Sequence, residues 1–260
     1  MYKDILVYLD PSSDAEVRLK IAATLARSHG ARLTGLEACT PEAFEGEWLD
    51  RATRLPDIFQ EAIKLSGVEG RYVALDRWAA AGRHEYAHYA DLIIASQPEF
   101  ETRKLVAAGI PEDVLLSGGA PMLLLPYGWK ERSVGERVMI AWKSSREAVR
   151  AVHDAMPFLT RAQKVTAFTF APSPDGLGEE PDSLMDHLRR HGVIAEPSRW
   201  RPNTGELMTP VDALFASLEA QDADLIVAGA FGHSRWVEGL FGGVSHDLIR
   251  QPSLPVLLSH

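Results

Sequence analysis

The chain has 260 residues, 46% of them apolar and 24% charged, the composition of a globular protein with enough material for two cores of about 130 residues each. Its formal net charge of −9 argues against a nucleic-acid backbone as partner, because that binding needs a positive surface. Cys39 is the single cysteine, which excludes an internal disulfide and suits a reducing cytoplasm, and no apolar run approaches the ~20 residues needed to span a membrane.

The N-terminus runs straight into a strand pattern, so no signal peptide is expected. In chain order, strands are predicted over 5–10, 31–39, 68–75, 91–96 and 121–126, with helices over 13–28 and near 56–66 and a short helix before residue 91. The pattern then restarts: strand 137–142, helix 145–160, strand 164–171, helix 182–191, strand 194–200, helix 209–221, and strands 225–229 and 254–258. The run Asp91-Leu92-Ile93-Ile94-Ala95 recurs as Asp224-Leu225-Ile226-Val227-Ala228, and Ile5-Leu6-Val7 as Val138-Met139-Ile140, both 133 residues on. Pro121-Met122-Leu123-Leu124 answers Pro255-Val256-Leu257-Leu258 at 134. Three landmarks in one order at a near-constant offset mark an internal repeat. The expected domains are 1–126 and 137–260, joined by a polar, turn-rich linker at 127–136.

Five strands alternating with helices in each half predict an α/β class, two tandem doubly wound five-stranded parallel sheets. Such sheets bind ligands outside the carboxyl ends of the strands where the winding reverses. With strand order 3-2-1-4-5, that crevice lies between the first and fourth strands. In the second half it sets Ala141-Trp142-Lys143-Ser144 opposite Gly229.

Gly229 opens the stretch 227–245, VAGAFGHSRWVEGLFGGVS. Gly229, Gly232 and Gly242-Gly243 give the backbone freedom for close ligand approach. The amides of Gly243, Val244 and Ser245 would form a helix N-terminus suited to an anion. The spacing is neither the dinucleotide fingerprint nor the P-loop. It resembles the Gly-x2-Gly-x9-Gly-[Ser/Thr] signature of the universal stress protein family: Gly229, Gly232 and Gly242 match, while Gly243 stands where the family has Ser or Thr and Ser245 could supply the hydroxyl. The resemblance covers nearly the whole chain as a tandem pair. It implies an adenine nucleotide alpha-hydrolase-like fold, ATP or another adenine nucleotide at Gly229, Gly232, His233, Gly242, Gly243, Val244, Ser245, Ala141, Trp142 and Lys143, and a stress-response role with an unidentified protein partner. It also implies pairing through the last strands, as an internal pseudo-dimer or a homodimer.

The halves diverge in opposite ways. Ser96, Glu99 and Ala108-Gly109 replace the glycines in the first half, where a glutamate would repel phosphate. Asp10-Pro11-Ser12 there resembles the family's acidic residue beside the nucleotide; alternatively Asp10 starts a helix with Ser12 or Ser13 as N-cap. The second half has Lys143-Ser144-Ser145 instead. Lys143 either reaches phosphate or is solvated, and Trp142 either stacks on a base or packs.

His84-Glu85-Tyr86-Ala87-His88 spells H-E-x-x-H, a zinc-hydrolase pattern, but the repeat partner Ser217-Leu218-Glu219-Ala220-Gln221 has no histidine and no third ligand is evident. His187 and His191, beside Arg189-Arg190, read as a solvated helix face. With no G-x-S-x-G elbow and no evident base for ATP hydrolysis, the expectation is a regulatory protein without metal and with at most weak hydrolysis. A nucleotide-free scaffold and a zinc hydrolase at His84, Glu85 and His88 remain as alternatives.

Overall fold

The structure, a computed structural model, describes residues 1–37, 46–75, 82–97, 110–130, 133–170, 182–201, 209–230, 248 and 253–260, the side chains of 82–84, 110–113 and 210 excepted. It divides into two compact units, Met1–Glu131 and Arg132–His260.

The first unit runs β1 (Asp4–Leu9), α1 (Ala15–His29), β2 (Arg32–Glu37), α2 (Glu47–Ser66), β3 (Gly70–Ala74), α3 (Gly82–His88), β4 (Leu92–Ser96), α4 (Ile110–Gly118) and β5 (Met122–Leu125). Its strands lie in the order β3-β2-β1-β4-β5, all neighbours parallel. The central strands are almost wholly apolar and buried, as a sheet covered on both faces requires: Ile5, Leu6 and Val7 of β1 lie beside Leu92, Ile93 and Ile94 of β4. Helix α1 buries Ala15, Leu19, Ala22, Ala23 and Ala26 along one stripe, the i, i+4, i+7 spacing of an amphipathic helix. Gly30 ends it at φ 60°, its N–H reaching the carbonyls of Ala26 and Arg27, a cap that favours glycine.

The second unit runs β6 (Arg137–Ala141), α5 (Arg146–Leu159), β7 (Lys164–Phe170), α6 (Asp182–Arg190), β8 (Ala195–Trp200), α7 (Pro210–Gln221), β9 (Leu225–Gly229) and β10 (Val256–Ser259). Its strand order is β8-β7-β6-β9-β10, again all parallel. Side chains start its helices: Ser145 accepts from the Ala148 amide, and Thr209 and Asp212 cap each other reciprocally at the head of α7, each arrangement supplying partners for otherwise orphaned amides.

Two elements differ from the sequence reading. Helix α2 begins at Glu47 and continues through Pro56, whereas a proline suggests a helix start. Ala52, Leu55 and Phe59 form one buried stripe across that residue, and the Phe59 ring fills the space a side chain at Gly35 would need, 2.6 Å from its ideal Cβ. Tertiary packing outweighs the single backbone hydrogen bond that Pro56 removes. Helix α4 is an addition to the elements that the sequence pattern predicts; it buries Val114 and Leu115.

Both units fasten their first strand with the carboxylate that precedes the fourth. The Asp91 carboxylate accepts the amides of Lys3 at 2.6 Å and Asp4 at 3.0 Å. Asp224, 133 residues on, accepts those of Gly135, Glu136 and Arg137 at 2.9–3.1 Å. Burial raises the Asp224 carboxyl above its usual range, against the lowering effect of these hydrogen bonds. Asp224→Ala strands three amide donors, two of them only partly accessible, and should cost about 2 kcal/mol in urea unfolding; loss below about 0.5 kcal/mol would show that water replaces the carboxylate.

Candidate functional site

The winding reverses between β6 and β9 in the second unit and between β1 and β4 in the first, so both carry the crevice expected of an open α/β sheet. In the second unit Ala141 pairs with Ala228, one step before Trp142 and Gly229. The Trp142 amide donates to the Phe168 carbonyl at 2.8 Å, holding the chain on course as it leaves the sheet. Lys143 follows, its side chain exposed, and its carbonyl accepts the Ser145 amide at 2.7 Å. Ala141, Trp142, Lys143 and Gly229 thus gather at one end of two adjacent strands. Gly232, His233, Gly242, Gly243, Val244 and Ser245 lie outside the described residues, as does Cys39.

Gly229 has a role that spacing alone did not reveal. A Cβ there would fall 2.5 Å from both the Ala148 nitrogen and the Glu147 carbonyl carbon. The head of α5 therefore lies directly against the end of β9, and the glycine is needed for helix–strand contact whether or not a ligand approaches. The contact also buries Glu147 at 8% exposure. Burial by itself would raise the Glu147 carboxyl, but its own backbone N–H, the Ser145 hydroxyl, Arg146 and His260 lower it on balance, so it stays ionised at a helix N-terminus that favours the charge.

Sequence reasoning also missed two hydroxyls. Thr169 and Ser259 are 3% and 1% exposed, at the carboxyl ends of β7 and β10, and neither Oγ has a hydrogen-bond partner among the described residues. Ser259 lies beside Gly229. Polar side chains inside otherwise apolar strand runs were the available signal. Beyond Thr169, Phe170 stacks on Trp200 with centroids 5.2 Å apart.

The first unit's crevice is occupied differently. Asp10 Oδ2 lies 2.9 Å from Nη2 of Arg18, a helix α1 residue only 1% exposed, and Oδ1 accepts the Ser12 amide at 2.9 Å. Burial would raise the Asp10 carboxyl, but the Arg18 charge and the Ser12 hydrogen bonds bring it below the usual range. The N-cap expectation is corrected here: the cap position belongs to Asp14, whose side chain caps nothing and instead accepts the Gly128 amide at 2.7 Å. Glu37, at the carboxyl end of β2, is 3% exposed and accepts from the Tyr72 hydroxyl.

The strand registers equate Asp10 with Lys143 and Glu37 with Thr169. An acidic residue just beyond β1 and another at the end of β2 in the first unit are thus a lysine and a threonine in the second.

For the H-E-x-x-H segment, α3 carries it as expected. His88 Nε2, however, lies 3.2 Å from the Ser117 carbonyl oxygen, and among the described residues no three His, Cys, Asp or Glu side chains are placed to hold a metal. No helix among those residues is long and apolar enough to cross a membrane.

Comparison with known proteins adds independent findings. Residues 204–260 match the model of the universal stress protein family, a span that includes β9, the Gly-rich stretch and β10. No curated protein matches the chain. Among solved structures, a universal stress protein from Archaeoglobus fulgidus superposes at a TM-score of 0.72 with 16% identity, covering 98% of this chain and 95% of its own. A putative universal stress protein from Pseudomonas aeruginosa gives 0.60 at 16% identity, covering 99% and 93%. A functionally unknown protein from the same species gives 0.63 at 16%, covering 99% and 92%. The chain therefore shares the fold of these proteins along nearly its whole length, and over residues 204–260 its sequence is similar to the universal stress protein family.

Proposed function

We propose that the chain is a cytosolic regulatory protein of the universal stress type that binds an adenine nucleotide, ATP in the first instance, in its second unit only. The observation that carries this reading is the charge reversal at the two crevices. In the first, Asp10 is committed to Arg18 and Glu37 adds a second buried carboxylate, an environment hostile to phosphate. In the second, Lys143 and Thr169 hold those places, and the glycines of 227–245 offer a bare backbone. On this reading Trp142, which leaves β6 one step beyond the Ala141–Ala228 pair, stacks on the base, and Gly243, Val244 and Ser245 supply amides to the phosphates. Among the described residues, Asp10 is held by Arg18 and Glu147 is buried at the head of α5, which fits a sensor better than a hydrolase.

Lys143 acts as a flexible point charge, so its contribution should be sensitive to salt. In calorimetric titrations of the full chain, Lys143→Ala should weaken ATP binding by about 1 kcal/mol, roughly fivefold, less at high salt, and leave adenosine unaffected. Identical ATP isotherms for wild type and variant would remove the lysine from the site. Gly232→Glu, which copies the first half's Glu99, should cost more than about tenfold, and binding unchanged by it would move the nucleotide elsewhere.

A further inference from the structure

Three imidazoles meet between α5 and α6 of the second unit. His187 stacks on His153 with centroids 5.1 Å apart and planes 4° from parallel. His191, one helical turn further, tilts against His187 at 4.6 Å. The solvated-face reading agrees with the exposure of His191 and is corrected for His187: Leu184 and Leu188 are the buried side of α6, and His187, between them in sequence and one turn from Leu184, turns toward α5. Its Nε2 is buried without a hydrogen-bond partner among the described residues.

The neighbouring carboxylates are engaged elsewhere. On α5, Asp154 pairs with Arg150 at 2.9 Å. On α6 itself, Asp186 pairs with both Arg189 and Arg190. From β8, which packs on α6, the charged side chains are Arg199 and Glu196, the latter 3.5 Å from Lys164 of β7. Among the described residues none of the three imidazoles has a carboxylate partner, so a proton arriving on His187 meets two further imidazoles and Arg190 with no compensating charge.

Among the described residues α6 is lightly packed. It has nine residues, two of them buried, and it rests on β8, an edge strand that carries Pro197. Such short, lightly packed elements open at low free-energy cost.

We propose that the His153–His187–His191 cluster is a proton-operated latch, whose neutral stacked rings hold α6 against α5 near neutral pH and whose protonation under mildly acid conditions releases it. Burial, followed by the charges of His191, His153 and Arg190, lowers the His187 value below the ordinary 6.5. The folded state consequently binds fewer protons than the open one. The latch is at full strength above about pH 6.5 and weakens as pH falls below it. It operates independently of any ligand in the crevice.

Amide hydrogen exchange on the full chain, corrected for intrinsic rates, tests the latch between pH 7.5 and 5.0. Protection over 182–190 should fall about tenfold or more in the wild type and stay level in His187→Phe, which keeps a stackable ring without the titration. Equal acid losses in both would overturn the proposal. An NMR titration gives a second criterion that does not depend on that variant folding. The His187 midpoint should lie below 6.5 and rise in His153→Asn and in Arg190→Gln; a wild-type midpoint at or above 6.5, or one indifferent to both changes, refutes the latch.

Discussion

Gly229→Ala should destabilise the second unit by about 3 kcal/mol, at the upper end of the cost of over-packing a tight contact, and Gly229→Val by more. The Cβ added there lands 2.5 Å from two backbone atoms of α5, and backbone of a capped helix cannot swing aside as the end of a side chain can. Helix α5 must shift bodily or the end of β9 must, and both belong to the unit's buried centre. The effect should appear as a drop of roughly 10 °C in melting temperature. Gly30→Ala is the control. Its Cβ would meet nothing within 4 Å, and only the positive φ of 60° resists it, a strain of about 1 kcal/mol. Equal losses at the two positions would mean that α5 does not press on β9, and the glycine would return to a purely ligand-related role.

The second large effect lies in the first unit. Asp10→Ala removes the partner of a guanidinium that is 1% exposed, and uncompensated buried charges of this kind cost about 3–5 kcal/mol. Arg18→Met combined with Asp10→Asn should recover most of that, since it withdraws the charge instead of abandoning it. A single Asp10→Ala loss no larger than the double variant's would show that Arg18 reaches water. The pair also predicts acid sensitivity. Because the Asp10 carboxyl is lowered from 3.8, its contribution is complete above that value and disappears as pH falls through the folded-state value beneath it. In a denaturant series the Asp10→Ala chain should therefore lose the wild type's steepest acid limb.

Much of the fold was readable from the sequence because its determinants are local and repeated. Asp91-Leu92-Ile93-Ile94-Ala95 and Asp224-Leu225-Ile226-Val227-Ala228 announce buried parallel strands, and the 133-residue offset doubles every such signal. The five strands of each unit and their order follow from it. Where local chemistry and tertiary packing disagree, the sequence misleads: Pro56 reads as a helix start, yet the stripe Ala52, Leu55, Phe59 carries the helix through it.

The site was legible in composition but not in geometry. Glycine spacing identifies the stretch 227–245 and Lys143 stands out against Asp10. That Gly229 is pressed by α5 depends on a contact some 80 residues away in sequence, with no local signature. Arg18 is the plainest omission. An arginine in the amphipathic 13–28 stretch reads as solvent-facing, and only the fold shows that Arg18 faces inward onto Asp10. His187 is similar, since its solvated appearance came from flanking arginines whose charge is taken up by Asp186.

The carboxylate fastening shared by the units bears on how the protein emerges from the ribosome. Asp91 lies 87 residues beyond the Asp4 amide it receives, and Asp224 is separated from Arg137 by the same interval. At translation rates of about 5–20 residues per second, the anchoring acid is made roughly 4–17 seconds after the strand it fixes. During that interval β1 can pair only with β2, and its other edge has no native neighbour until β4 is synthesised. Each central strand thus spends its first seconds half-completed, an apolar ribbon with one open side. The second copy repeats this exposure while the first is already closing, so a nascent chain carries one vulnerable edge at a time, and the 133-residue spacing sets the interval between them.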